Sequence, residues 1–379
     1  MPQGHRRHAL LALAGLGAWA LAPRAAWARN PSGTVHLAAA WERQGSFHIG
    51  LLSTLKDAGQ ALQVHASLEV PTRAHGLCVL PDGSVLATAR RPGDWLVRWR
   101  PGRGAEPRWL WQDGERSFNG HVVASTDGAR LYTTETDVET GASLIGVRDA
   151  RTLRKIAEWP THGIDAHELT WDPRVPHRGA PTLIVANGGV PTAPETGRAK
   201  RNLDTMDSSL ARLDARTGRL LGQWRLRDPR LSLRHLAWSP DGATLGIALQ
   251  AEHDDTAVKD AAPVLALFDG TALRVVAAPQ AIAQGIHGYG GSMAATPAGW
   301  AVSCPRAHGI ATFSLQGQWK GLVPLPEACP LAVQGSALWA GGLGASLQSA
   351  QAAAPLRHPH GRGLQDVRLD NHWVLAQNI

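Results

Sequence analysis

The 379-residue sequence is poor in the features that announce most catalytic chemistry. It holds three cysteines, Cys78, Cys304 and Cys329, and no C-x-x-C spacing, which excludes covalent haem attachment and a thiolate cluster site. No H-E-x-x-H motif and no nucleophile-elbow serine is present, so neither a zinc protease helix nor a serine hydrolase is indicated. Tyrosine and phenylalanine are scarce, at two and four residues, and lysine and arginine are scattered along the chain, which argues against nucleic-acid binding. Beyond the N-terminus no apolar run reaches the ~20 residues that a membrane-spanning helix needs.

The N-terminus itself is distinctive. Arg6 and Arg7 precede an apolar run, Ala9 to Leu21, and Ala26-Trp27-Ala28 supplies an A-x-A exit. This pattern predicts a signal peptide over 1–28, with the arginine pair pointing to twin-arginine export and a periplasmic protein. The remaining 379 − 28 = 351 residues are expected to form a single domain, 29–379. Arg6, Arg7 and Arg24 account for part of the formal charge of +7, leaving +4 on the mature chain (7 − 3), a weak basic bias. An odd cysteine count leaves at least one thiol free. Cys304 and Cys329 are the pair that a disulfide would join, whereas Cys78, within Leu77-Cys-Val-Leu80, reads as a small buried apolar residue.

What the chain does have is short apolar runs punctuated by Asp-Gly, Pro-Asp-Gly and Thr-Gly turns, with abundant glycine and proline and no long helical periodicity. Four runs align: His75-Gly-Leu-Cys-Val-Leu-Pro-Asp-Gly, Gly120-His121-Val-Val-Ala-Ser-Thr-Asp-Gly, His167-Glu-Leu-Thr-Trp-Asp-Pro and His235-Leu-Ala-Trp-Ser-Pro-Asp-Gly. The intervals are 121 − 75 = 46, 167 − 121 = 46 and 235 − 167 = 68, the last lengthened by a polar insert at about Asn187 to Ser209. Weaker units begin near Ser292, Pro330 and Leu364. A period of ~46 residues with several strands per unit predicts an all-β propeller. Thr34 to Val70 carries outer-strand-like runs and the last unit carries only a beginning, so the two should share one blade. This closes the ring by pairing the termini and gives seven blades, with fifteen tryptophans available to fill the gaps between sheets.

A residue at the start of an innermost strand belongs at the rim of the central channel. His75, His121, His167 and His235 occupy that position in four successive units. Repetition alone would fit a structural histidine that bonds within its own blade. The neighbours, however, differ from unit to unit: Arg73, Asn119, Asp165, Glu168 and Arg234. Converging neutral imidazoles suit iron, copper or zinc, with Glu168 as a further ligand or an outer partner. Arg73, Asn119, Arg234, Arg306, His308, His287 and Tyr289 form a candidate ligand-binding set, in which the arginines would take an anion or a metal chelate. Asp204, Asp207 and Ser208 read as a loop, and His358 and His360 as an exposed His-rich turn.

Taken together, Arg73-Ala-His-Gly, Gly120-His121, His167-Glu-Leu-Thr-Trp, Asn202-Leu-Asp-Thr-Met-Asp-Ser-Ser-Leu and Arg234-His-Leu-Ala resemble a family of twin-arginine-exported bacterial propellers that carry a domain of unknown function. The resemblance covers essentially the whole mature chain. It implies a role in periplasmic iron or copper handling, with imelysin-type iron-uptake proteins as pathway partners and no assigned activity; the chain itself is expected to be a monomer. A metal-dependent hydrolase, an oxidoreductase, and an interaction scaffold with purely structural histidines remain the rival expectations.

Overall fold

Three Asp-Gly pairs fold in the same way. Asp82, Asp127 and Asp241 each accept a hydrogen bond from the backbone N–H two residues on, at 3.0 Å. The following Gly83, Gly128 and Gly242 take φ of 82°, 68° and 69°, a conformation that suits glycine. Each turn sends an apolar strand back antiparallel to the one before it. The computed structural model describes residues 34–376, apart from 55–60, 103, 105, 175–179, 191–202, 280–281, 283–284, 351–355 and 360–363. The expected signal segment, most of the insert after Asn187, and His360 therefore lie outside the described residues.

Seven four-stranded antiparallel sheets result, and the protein is a seven-bladed β-propeller. The inner strands are Ala74–Val79, Arg116–Ala124, Ala166–Trp171, Leu231–Trp238, Ser292–Thr296, Leu331–Gln334 and Val367–Leu375. Each meets the next around the channel, and the last meets the first. The closing blade joins the ends of the chain: Val367–Leu375 pairs with His36–Arg43, which leads on to Ser46–Thr54 and Leu62–Val70. The shared blade expected from the sequence is thus three strands from the N-terminal side and one from the C-terminal side.

The apolar core is divided accordingly. Seven clusters of buried residues fill the seven junctions between adjacent blades. Trp95, Trp300 and Trp339 are fully buried within them, where one indole spans the gap between two facing sheets. No helix among the described residues is long and apolar enough to cross a membrane.

One irregularity positions the site. In five of the seven blades the pairing of the inner strand with its neighbour slips. The slips fall between Ala74 and Leu77, Phe118 and Val122, Ala166 and Leu169, Leu233 and Leu236, and, in the closing blade, Leu369 and Trp373. The inner strands Ser292–Thr296 and Leu331–Gln334 pair without a slip. A bulge bends the strand and re-aims the side chains that it carries.

Candidate metal centre

Each slip holds one histidine: His75, His121, His167, His235 and His372. The bulges turn all five imidazoles inward. The four that the repeat identifies are not at the rim, as the sequence implied, but inside the channel, with exposures of 3%, 5%, 6% and 2% in chain order. His372, in the last strand, is less buried and completes the set.

The five rings form one compact group. Nine of the ten ring pairs have centroids 4.6–6.0 Å apart, and His167 with His372 is the exception. With those two as apices, His75, His121 and His235 form an equator, at separations of 4.9, 5.6 and 6.0 Å. The apex-to-equator separations run from 4.6 to 5.6 Å. This is a trigonal-bipyramidal arrangement of ring centres. An ion bound at ~2.0 Å to each of five imidazole nitrogens would hold ring centres about 4.5 Å apart from apex to equator and about 5.5 Å apart around the equator. The observed spacings lie near those values. The ligating atoms of His75, His121 and His372, of His75, His167 and His235, and of His121, Glu168 and His235 lie within 4.8 Å of one another in each trio.

Close approach of the backbone makes room for this packing. Gly120 has φ of 99°, and a Cβ there would come within 2.8 Å of the His75 ring. A Cβ on Gly76 would strike the Gly120 carbonyl oxygen at 2.2 Å. The glycines beside the first two histidines let neighbouring inner strands touch.

Burial keeps the imidazoles neutral. Desolvation, followed by the other rings and nearby guanidinium groups, holds His75, His121 and His167 well below the usual histidine range. Desolvation with Arg234, Arg90 and Arg91 takes His235 to about 3, and desolvation with His235 takes His372 to about 4. Both nitrogens of His75, Nε2 of His121, Nδ1 of His167 and Nε2 of His372 find no hydrogen-bond partner among the described residues. A buried polar atom left in this way costs ~1–3 kcal/mol, so the cluster is expensive unless something binds to it.

Glu168 stands behind His235. Its Oε2 faces His235 Nδ1 at 3.1 Å and accepts the Leu236 N–H at 2.9 Å, which ties the carboxylate to the bulge of the next blade. With Nδ1 donating to the carboxylate, His235 presents the Nε2 lone pair to the cluster, the usual second layer of a metal site. Desolvation pushes Glu168 up to about 7.

The ligand-binding set divides. Asn119 is engaged at both ends, donating to the Ala166 carbonyl and accepting from Thr136 at 2.9 Å each, so it fastens one blade to the next instead of facing a ligand. Arg234 is buried and donates to Asp165 at 2.9 Å; Arg91 donates to the other oxygen of the same carboxylate. His287 pairs with Asp260 at 3.2 Å and does not join the imidazole group. Arg306 and His308 lie at a short turn, Pro305–Ala307, where His308 takes a left-handed conformation. Arg73, Tyr289, Arg306 and His308 do come together, with Arg90, Arg368 and Asp370, around a cleft of about 480 Å³ at the histidine-bearing end of the channel. Asp370 links cleft to cluster: it accepts from Arg73 and stands 3.7 Å from His75 Nδ1.

The other sequence-level candidates are structural. Cys304 and Cys329 are both free thiols, so no disulfide joins them. Cys304 is buried in the core and Cys329 donates to Asn371 Oδ1 at 3.3 Å. Asp207 pairs with Arg225 and Asp204 with Arg230 in the loop expected there. His372, Arg90, Arg91 and Asp370 are absent from the sequence-derived set. The signal for His372 was the period itself: 372 − 235 = 137 residues is three steps of ~46.

Residues 68–376 match the profile of a protein family of unknown function, DUF1513. The chain belongs to that family. Among solved structures, a streptogramin B lyase is similar at 12% identity and a TM-score of 0.54, over 78% of this chain and 85% of that one. A functionally unknown protein from Desulfotomaculum acetoxidans DSM 771 is similar at 11% identity and a TM-score of 0.52, over 89% and 99%. These likenesses concern the propeller fold and carry no reaction to this DUF1513 protein. No curated protein sequence matches the chain.

Proposed function

We propose that this DUF1513 protein binds one transition-metal ion in the five-histidine cluster, and that it serves metal acquisition in the periplasm. The observation that carries the proposal is the group of five neutral imidazoles, four of them buried, each set in a strand bulge; His75, His121, His167 and His372 keep nitrogens that no group among the described residues satisfies. His75, His121, His167, His235 and His372 would hold the ion, and Glu168 would orient His235. An all-imidazole donor set suits copper, zinc or ferrous iron and leaves out magnesium and calcium, which prefer oxygen. A bound ion supplies Lewis acidity there. The protein's own groups provide burial, neutral donors and a fixed tautomer at His235. Binding without turnover is the reading that we favour, since the group is dominated by neutral imidazole donors and Glu168, the carboxylate beside it, is engaged with His235 and the Leu236 N–H. A periplasmic location and imelysin-type iron-uptake partners rest on the export signature and the family resemblance.

The test is metal loading. Protein is incubated separately with Zn(II), Cu(II) and, without oxygen, Fe(II), then dialysed and analysed for metal. One tightly held ion per chain is expected for at least one metal. His235→Ala and the shape-preserving His75→Gln should both lose it, while circular dichroism reports an intact fold. A wild-type protein that retains no ion, or variants that retain it as well as wild type, would overturn the proposal.

A further inference from the structure

The cleft above the cluster is cationic in a way that the imidazoles alone do not require. Arg73, Arg90, Arg306 and Arg368 line it. Arg306 stacks its guanidinium over the Tyr289 ring at 4.3 Å, which fixes the plane and leaves its N–H edges for another group. Among the described residues neither Arg306 nor Arg368 has a carboxylate partner, and both are exposed. Glu42 and Glu327 lie in the same wall, and Asp370 is occupied by Arg73.

Deeper down, Arg91 and Arg234 both pair with Asp165. Arg73 and Arg90 both bear on His75, and Arg90 and Arg91 on His235. A divalent ion entering five neutral imidazoles would add two positive charges beside these guanidinium groups, in a poorly screened interior. Like charges in such surroundings repel unless an anion arrives with them.

We infer that the cleft is a binding site for a small polycarboxylate, which enters with the metal, places one carboxylate towards the ion and rests the others on Arg306, Arg368 and Arg73. This rests on the metal reading above. Bidentate guanidinium–carboxylate pairing supplies the recognition, and about 480 Å³ accommodates a molecule of roughly ten to fifteen heavy atoms. Asp370, between Arg73 and His75, is the group through which occupancy of the cleft reaches the cluster.

The probe is citrate. Metal-loaded protein, freed of excess ion, is dialysed against labelled citrate, and citrate and metal are measured in the same sample. Metal-free wild type and a metal-loaded R306A/R368A double variant are run beside it; both changes are at exposed positions that leave the core intact. Citrate should bind metal-loaded wild type at least tenfold more tightly than either comparison, with the metal content of the double variant unchanged. Equal citrate binding by wild type and double variant would overturn the inference while leaving the metal site standing. So would equal binding with and without metal, or removal of the metal by citrate. Absence of metal from loaded wild type would overturn the proposed function, and this inference with it.

Discussion

His167 and His235, on adjacent blades and 68 residues apart, face each other Nε2 to Nε2 at 3.4 Å. Neither ring can carry a proton on that nitrogen comfortably while the other does, and both are buried away from water. The pair captures the state of the whole cluster, a set of lone pairs held together by blades that have other reasons to be adjacent.

Acid should therefore unfold the metal-free protein early. The folded pKa values of the imidazoles lie below the ordinary value of 6.5, at about 3 for His235 and about 4 for His372. The unfolded chain thus takes up more protons as pH falls, and stability that is intact above pH 6.5 is lost progressively below it. Each imidazole contributes up to ~1.4 kcal/mol per pH unit in that window. Glu168 acts in the opposite sense, because its folded value of about 7 exceeds the ordinary 4.5, but it is one group against five. Urea midpoints measured from pH 8 to pH 5 should fall steeply below 6.5, and saturating metal should move the fall to lower pH. A flat profile would contradict the burial of neutral rings.

Glu168→Gln should weaken metal binding by about 10–100-fold, the usual effect of losing a carboxylate behind a ligating histidine. The amide can still accept the Leu236 N–H, so the thermal midpoint should stay close to wild type. A competition titration with a chromogenic chelator reads the affinity. An unchanged affinity would remove Glu168 from the positioning role.

Gly120→Ala should cost about 2 kcal/mol or more, from positive φ together with collision with the His75 ring. Gly102→Ala is the comparison. That glycine has φ of 72° and open space around its would-be Cβ, so it carries the backbone penalty alone. Only the Gly120 variant should also lose metal, and denaturation curves with metal analysis separate the two effects.

The three thiols should be inert in the folded protein. Burial pushes Cys78 to about 11 and Cys304 and Cys329 to about 12, so little thiolate exists at pH 8. A thiol reagent should label none of them natively and all three in denaturant. A mass two units low under oxidising purification would reveal the disulfide that the structure lacks.

Four of the five imidazoles could be found in the sequence, because a period of ~46 residues and a shared His-strand-turn pattern place equivalent residues in equivalent positions. His372 escaped because two units without histidine, beginning near Ser292 and Pro330, interrupt the series, and because its unit is most easily aligned on Leu364. The bulges could not be read at all. They are a property of how two strands pair, and nothing in Ala166-His-Glu-Leu says that the register will slip there. That slip separates a histidine at the rim from one inside the channel. Arg90 and Arg91 were hidden for a related reason: they sit between the second and third strands of their blade, outside the repeated stretch, and only the closed ring brings them to the imidazoles.

His372 belongs to the strand that the chain makes last, and that strand is held in the first blade of the sequence by its pairing with His36–Arg43. Four donors can be assembled from the middle of the chain, but the fifth is delivered only when the two ends meet. A half-made or unzipped propeller has no complete site. An ion bridging His372 to His75 and His235 would act as a clasp across the seam, so loading with metal would certify that the ring has been finished.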